Sequence, residues 1–160
     1  MKHLTLSVLL AACTTGRPAP PPVGLARETA ALLRLHESDR EAHLKTDVDL
    51  LQRASPDEFV AVSDGKIHRT TRAKERRSFT EYFRGATYHE YADLEPPIVR
   101  VSNDGSMAWM ITRFRVRRTQ KDAAGREQEE RFVYAGIMTY EKRDGRWMRV
   151  ANVSTFEPGD

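Results

Sequence analysis

Hydrophobic and polar positions divide the chain into a helical first half and a period-two second half. Residues 27–53 contain few helix breakers and end at Ala54-Ser55-Pro56, which predicts one helix across most of that span. At 100° per residue, Arg34, Ser38, Glu41 and Lys45 share a solvated side. Directly opposite lie Leu32, His36, Asp39, His43, Asp47 and Leu50, flanked by Leu33, Leu44 and Leu51 on one edge and by Leu35 and Ala42 on the other. Four ionisable groups therefore run down the middle of the face that a globular helix buries.

After Pro56, Phe59-Val60-Ala61-Val62 reads as a short strand closed by Asp64-Gly65, and residues 71–84 fit a second helix with Ala73, Phe79, Tyr82 and Phe83 as its apolar side. From Tyr88 onward the period is two, with turn signals at Asp104-Gly105, Gly125 and Asp144-Gly145. Strands are predicted near 87–93, 97–103, 106–118, 130–142 and 146–156, the last three as consecutive antiparallel hairpins with a charged loop at Thr119–Glu129. Helices first and an antiparallel sheet afterwards is an α+β arrangement.

The late strands alternate cleanly. One face carries Met110, Thr112 and Phe114, then Phe132, Tyr134, Gly136 and Met138, then Val150, Asn152 and Ser154. The other carries Trp109, Ile111, Arg113 and Arg115, then Val133, Ala135 and Ile137, then Trp147, Arg149 and Val153. The arginines turn the second face outwards, so the first faces the helix stripe, with Tyr134 and Asn152 as its ligand-binding polar groups. The Trp109/Trp147 face mixes large apolar groups with arginine, the composition of an interface, and predicts a homodimer contact. Alternate Arg113, Arg115 and Arg117 belong to that face, and Arg76-Arg77 to a solvated helix edge.

Composition narrows the function classes. The 160 residues include 26 Lys plus Arg against 23 Asp plus Glu, a formal net charge of +3. The signs are interspersed, as across Lys121–Arg131, so the segregated basic face of a nucleic-acid binder is missing. A single cysteine excludes an internal disulfide framework and a Cys-rich zinc site. That cysteine, Cys13, follows Lys2 and the apolar run Leu4–Ala12, which is far short of the roughly 20 residues that span a bilayer. The ending Leu10-Ala11-Ala12-Cys13 resembles the bacterial lipobox, which implies a signal peptide over residues 1–12 and lipid attachment at Cys13. Thr14 stands where enterobacterial systems carry the Asp of inner-membrane retention, which points to the outer membrane, facing the periplasm. Pro18, Pro20, Pro21 and Pro22 make residues 13–24 an extended linker, leaving residues 25–160 as the domain.

The order helix, short strand, Asp-Gly, helix, then a meander through Thr139-Tyr140-Glu141-Lys142-Arg143-Asp144-Gly145-Arg146-Trp147 resembles the nuclear transport factor 2-like superfamily, and within it the SnoaL-like group of small bacterial domains. The resemblance covers roughly residues 27–156. It implies a cone-shaped α+β barrel, a curved, mainly antiparallel sheet wrapped around the helices with a cavity at its wide end. It also implies frequent dimers, and activities that range from isomerases, cyclases and dehydratases to pure binding domains. Ketosteroid isomerases of the superfamily use a tyrosine, an aspartate base and an acidic oxyanion partner at positions that fall near Asp39, at Val62 or Ser63, and near Gly136. None of these carries the required side chain, although Asp64 lies close to the base position.

The candidate ligand-binding residues are His36, Asp39, His43, Asp47, Tyr134 and Asn152. The i,i+3 and i,i+4 spacings let neighbours on the helix pair, and Asp39 holding the His43 ring would make an acid–base dyad for an isomerase or dehydratase. A ladder that serves only the fold is the competing reading. No metal is expected, because His36 and His43 stand about 10 Å apart along a helix axis. No Gly-rich phosphate loop or nucleotide fingerprint occurs, so no cofactor is expected either. The expectation is a lipid-anchored envelope domain that binds a small, partly apolar molecule.

Overall fold

The computed structural model describes residues 24–158, so the leader, Cys13 and nearly all of the proline-rich stretch lie outside the described residues. The first helix, α1, runs Leu25–Lys45, followed by α2 at Val48–Leu51 and a single 3-10 turn at Gln52–Ala54. Then come β1 (Glu58–Ser63), β2 (Lys66–Thr71), α3 (Arg72–Phe83), β3 (Ala86–Asp93), β4 (Ile98–Val101), β5 (Met107–Lys121), β6 (Glu127–Arg143) and β7 (Arg146–Pro158). No described helix is long and apolar enough to cross a membrane.

The predicted 27–53 helix is broken in two. Thr46 turns left-handed at φ 52°, its amide donates to the His43 carbonyl at 3.1 Å, and the Asp47 amide donates to Ala42 at 2.8 Å. This is the Schellman closure of a helix. Asp47 then caps α2, its Oδ1 accepting from the Leu50 amide at 2.9 Å. Sequence periodicity alone did not reveal the stop, because Thr46 is neither glycine nor proline.

The strands form one sheet in the order β2-β1-β7-β6-β5-β3, open at both ends, with β4 paired to β5 beside it. All pairings are antiparallel except β1 with β7. β5 is long enough to pair β4 with its first part and β3 with its second, while α1 packs against β3 and β4. Strand β2 escapes the sequence pattern because its exposed positions show no alternation; it is set by the turn at Asp64 and Gly65, both at positive φ. The expected long loop at 119–129 is shorter, because β5 and β6 extend to Lys121 and from Glu127, and Asp122 Oδ1 ties the turn by accepting from the amides of Ala124 and Arg126 at 2.9 Å each.

The inner face carries Met110, Thr112, Phe114 and Tyr134, all buried, as the alternation predicts. On β7 the alternation fails. Thr139 pairs with Ala151 but Tyr140 with Arg149, so Val150 is an extra residue in a β-bulge. The bulge reverses which side chains face inwards on either side of it. Asn152 and Ser154 stay inside, but so do Trp147 and Arg149, which are 6% and 5% exposed. The Trp109/Trp147 face therefore does not exist as one surface: Trp147 packs with Leu32, Ala108, Met110 and Tyr140 in the core at one end of the sheet, and its Nε1 donates to Glu28 Oε2 at 2.9 Å.

The outer face holds a different apolar feature. Cross-strand partners line up Ile98, Ile111, Ile137, Val153, Val62 and Ile67 in one row from β4 to β2. Four of these, Ile67, Ile98, Ile111 and Val153, are exposed.

Candidate functional site

Away from the Trp147 core, the inner face opens into a cavity of about 800 Å³. Its walls are aromatic: Phe79 and Tyr82 from α3, Tyr91 from β3, Phe132 and Tyr134 from β6, and Phe156 from β7. Polar side chains enter from four elements: His43 (α1), Glu75 and Ser78 (α3), Arg118 (β5), and Arg149, Asn152 and Ser154 (β7). A mainly apolar cavity with a few convergent polar groups is the usual form of a small-molecule site.

The floor is an ion pair, Arg149 Nη1 donating to Asp39 Oδ2 at 2.9 Å, with both side chains largely buried. Burial pushes the Asp39 carboxyl above its ordinary value against the pull of Arg149. Burial works most strongly against the guanidinium charge, but Asp39 together with Tyr140, Glu75 and Tyr134 outweighs it and raises the Arg149 pKa. Above the pair, His43 stacks on Tyr91 with centroids 4.2 Å apart. Its Nδ1 lies 2.7 Å from the Asp39 main-chain carbonyl, which accepts and so fixes the proton on Nδ1. Burial lowers the His43 pKa to about 4, so at neutral pH the ring is uncharged and Nε2 is an acceptor.

The Asp39–His43 dyad expected from the i,i+4 spacing is consequently absent. The Asp39 carboxylate is taken by Arg149, and only its backbone reaches the ring. His36 is also displaced from the expected cluster: its Nε2 pairs with both oxygens of Asp93 at 3.0 Å and its ring stacks on Phe114 at 5.2 Å. Glu37 stands by this pair in a metal-like grouping, but Arg40 lies across both carboxylates, 2.9 Å from Glu37 and 3.7 Å from Asp93, where a cation would sit. Asp47, spent on capping α2, does not line the cavity. Of the predicted residues, His43, Tyr134 and Asn152 meet at the cavity and Asp39 supports it from behind.

Four lining residues have buried side-chain atoms with no partner at hydrogen-bond distance: Glu75 Oε2, Tyr134 Oη, Arg149 Nη2 and Asn152 Oδ1. The Asn152 side chain is nonetheless near enough to the Tyr134 hydroxyl to oppose the rise that burial gives its pKa. Gly136 makes room for the Tyr134 hydroxyl, since a Cβ there would fall 2.5 Å from it. Near the other side of the cavity Arg118 is held in an ion pair, its Nε and Nη2 each 2.7 Å from Glu130 Oε2 and its Nη1 donating to Tyr88 Oη at 3.0 Å. Its guanidinium also covers the Tyr82 ring at 4.5 Å.

Sequence reasoning missed Glu75, Arg118 and Arg149. Glu75 was legible, because it precedes Phe79 and Tyr82 by four and seven residues and so shares their helix stripe. Arg149 carried no such signal, because its direction depends on the bulge at Val150.

No family model matches the chain, and no curated protein matches it either. Solved structures do. A ketosteroid isomerase-like protein from Erwinia carotovora atroseptica superposes with a TM-score of 0.63 at 14% identity, over 82% of this chain and 98% of that one. A nuclear transport factor 2-like protein from Cytophaga hutchinsonii gives 0.58 at 13% identity, over 79% and 96%. The association domain of calcium/calmodulin-dependent protein kinase II from C. elegans gives 0.56 at 14% identity, over 81% and 96%. The chain thus has the α+β cone fold of nuclear transport factor 2-like and cystatin-like proteins, N-terminal helices held in a curved, unclosed, mostly antiparallel sheet.

Proposed function

We propose that this protein is a lipid-anchored envelope protein whose cone-shaped domain binds a small, partly apolar molecule in the aromatic cavity. One observation carries the reading: four buried polar atoms without partners converge on a single, largely apolar space. Each unpaired buried group costs about 1–3 kcal/mol, so a fold that needed only a core would have replaced them with apolar side chains. A ligand that hydrogen-bonds to Tyr134, Arg149 and Asn152 recovers that cost. The native mass spectrum of the full-length protein tests this: extra, dissociable mass on the wild type that is lost from Tyr134→Phe/Asn152→Leu supports binding. Bare wild-type chains that also fail to take up any member of a small-molecule library would overturn it.

Anchoring rests on the sequence of residues 10–13. Radiolabelled palmitate is expected on the wild type and not on Cys13→Ser, with the protein in the outer-membrane fraction; label on both, or on neither, removes the anchor. The partner is proposed to be a second copy, meeting the outer sheet face on the Ile98–Ile111–Ile137–Val153–Val62–Ile67 row instead of on Trp147. A straight apolar row is self-complementary under a two-fold axis, and one structural neighbour is by its name an association domain. Sedimentation should give a dimer that Ile111→Lys/Ile137→Glu converts to a folded monomer.

A further inference from the structure

The charges around the cavity do not cancel. His43, Glu75, Tyr82, Tyr91, Arg118, Tyr134 and Arg149 are the lining groups that titrate or carry charge. His43 is neutral at pH 7, and burial raises the Tyr91 and Tyr134 hydroxyls so that both hold their protons. Both arginines have a carboxylate partner of their own, Arg118 in Glu130 and Arg149 in Asp39. Glu75 is left over. It is only 6% exposed and its Oε2 has no partner. The nearest arginines on its own helix turn elsewhere, Arg72 to the Gln52 carbonyl at 3.2 Å and Arg76 to Asp49 at 2.6 Å.

The surroundings of that carboxylate suit one kind of counter-charge. Phe79 and Tyr82 follow Glu75 on the same stripe of α3, with Tyr91 and Tyr134 from the sheet. Aromatic faces attract cations, and Tyr82 already does so with Arg118. An anionic head beside Glu75 would face that carboxylate with Asp39 behind it, while the two lining guanidiniums, Arg118 and Arg149, are each already paired with a carboxylate. The free N–H of Arg149 calls instead for a neutral oxygen elsewhere on the same molecule.

We infer that the cavity takes an organic cation, an amine with an apolar body and a neutral hydroxyl or carbonyl oxygen, with Glu75 as its counter-ion and the aromatic walls around it. This rests on the ligand-binding reading above and adds the charge of the ligand to it.

The test uses three probes of one shape, 4-phenylbutylamine, 4-phenylbutan-1-ol and 4-phenylbutyrate, titrated calorimetrically into the full-length protein at pH 7. The amine should bind at least about tenfold more tightly than the alcohol, and the carboxylate should bind least. Glu75→Gln should remove the amine's lead while the alcohol keeps its affinity. Alcohol or carboxylate binding that equals or exceeds the amine, or an amine lead that survives Glu75→Gln, overturns the cation and leaves the cavity a binding site. Silence from all three probes overturns the cation and leaves the binding reading to the native mass spectrum and library screen described above. Should Glu75→Gln not fold, the wild-type ranking of the probes decides alone.

Discussion

Two buried glutamates mark the two ends of the inner face and show what each end is for. Glu28, 9% exposed, accepts from Trp147 Nε1 at 2.9 Å and from Lys142 Nζ at 2.6 Å, and the Lys142 bond, with these neighbours outweighing burial, holds its carboxyl below the ordinary value. Glu75, 6% exposed, leaves Oε2 unpartnered beside an aromatic cavity. A buried charge with two good donors ties elements together; a buried charge with none is tolerated where something else supplies the partner. The Glu28 end is closed by Leu32, Met110, Tyr140 and Trp147, and the Glu75 end is open.

The strongest way to break the comparison is at the cavity floor. Arg149→Met strands Asp39 in the interior and should lower stability in urea by about 3–5 kcal/mol, while Asp39→Leu/Arg149→Met should recover most of it. Loss of equal size in the double variant would mean that the pair serves packing alone.

Acid should strike the same end next. His43 has a folded pKa of about 4 against 6.5 for the free side chain, so the unfolded chain takes up the proton first as the pH falls. Its contribution is complete above pH 6.5 and is lost between 6.5 and about 4, a decline of about 3 kcal/mol. His43→Phe should flatten that part of the stability–pH curve, and an unchanged slope would refute the assignment. Glu28, by contrast, contributes above the ordinary glutamate pKa and loses its contribution only below it.

Trp147→Phe should cost about 1–3 kcal/mol by removing the indole donor from Glu28. Glu75→Gln should do the opposite and raise the stability of the empty protein, by about 1 kcal/mol, because it removes an unpaired charge. Thermal melts of the two variants side by side sharpen the contrast; a Glu75 variant destabilised like the Trp147 variant would make both glutamates structural.

Local patterns foretold much of this molecule, and their failures are instructive. The inward set Met110, Thr112, Phe114 and Tyr134 follows from a period of two, and the polar stripe of α1 from a period of 3.6. The stripe was real, but its members serve different masters: His36 goes to Asp93 on β3, Asp39 to Arg149 on β7, Asp47 to its own next helix, and only His43 lines the cavity. Spacing places residues on a face without saying which strand will oppose each one.

By itself, the sequence determined most element types, strand β2 and the break after α1 excepted, together with the inward face of β5 and β6 and the aromatic and charged residues that had to find places inside. Tertiary structure decided the rest. Val150 becomes a bulge only because Thr139 and Tyr140 on the neighbouring strand pair with Ala151 and Arg149, and that slip carries Trp147 and Arg149 to the inside. Periodicity is a property of one segment, whereas a bulge and a cavity belong to pairings between segments far apart in the chain. The partner of Asp39 lies 110 residues away, and no local rule reaches it.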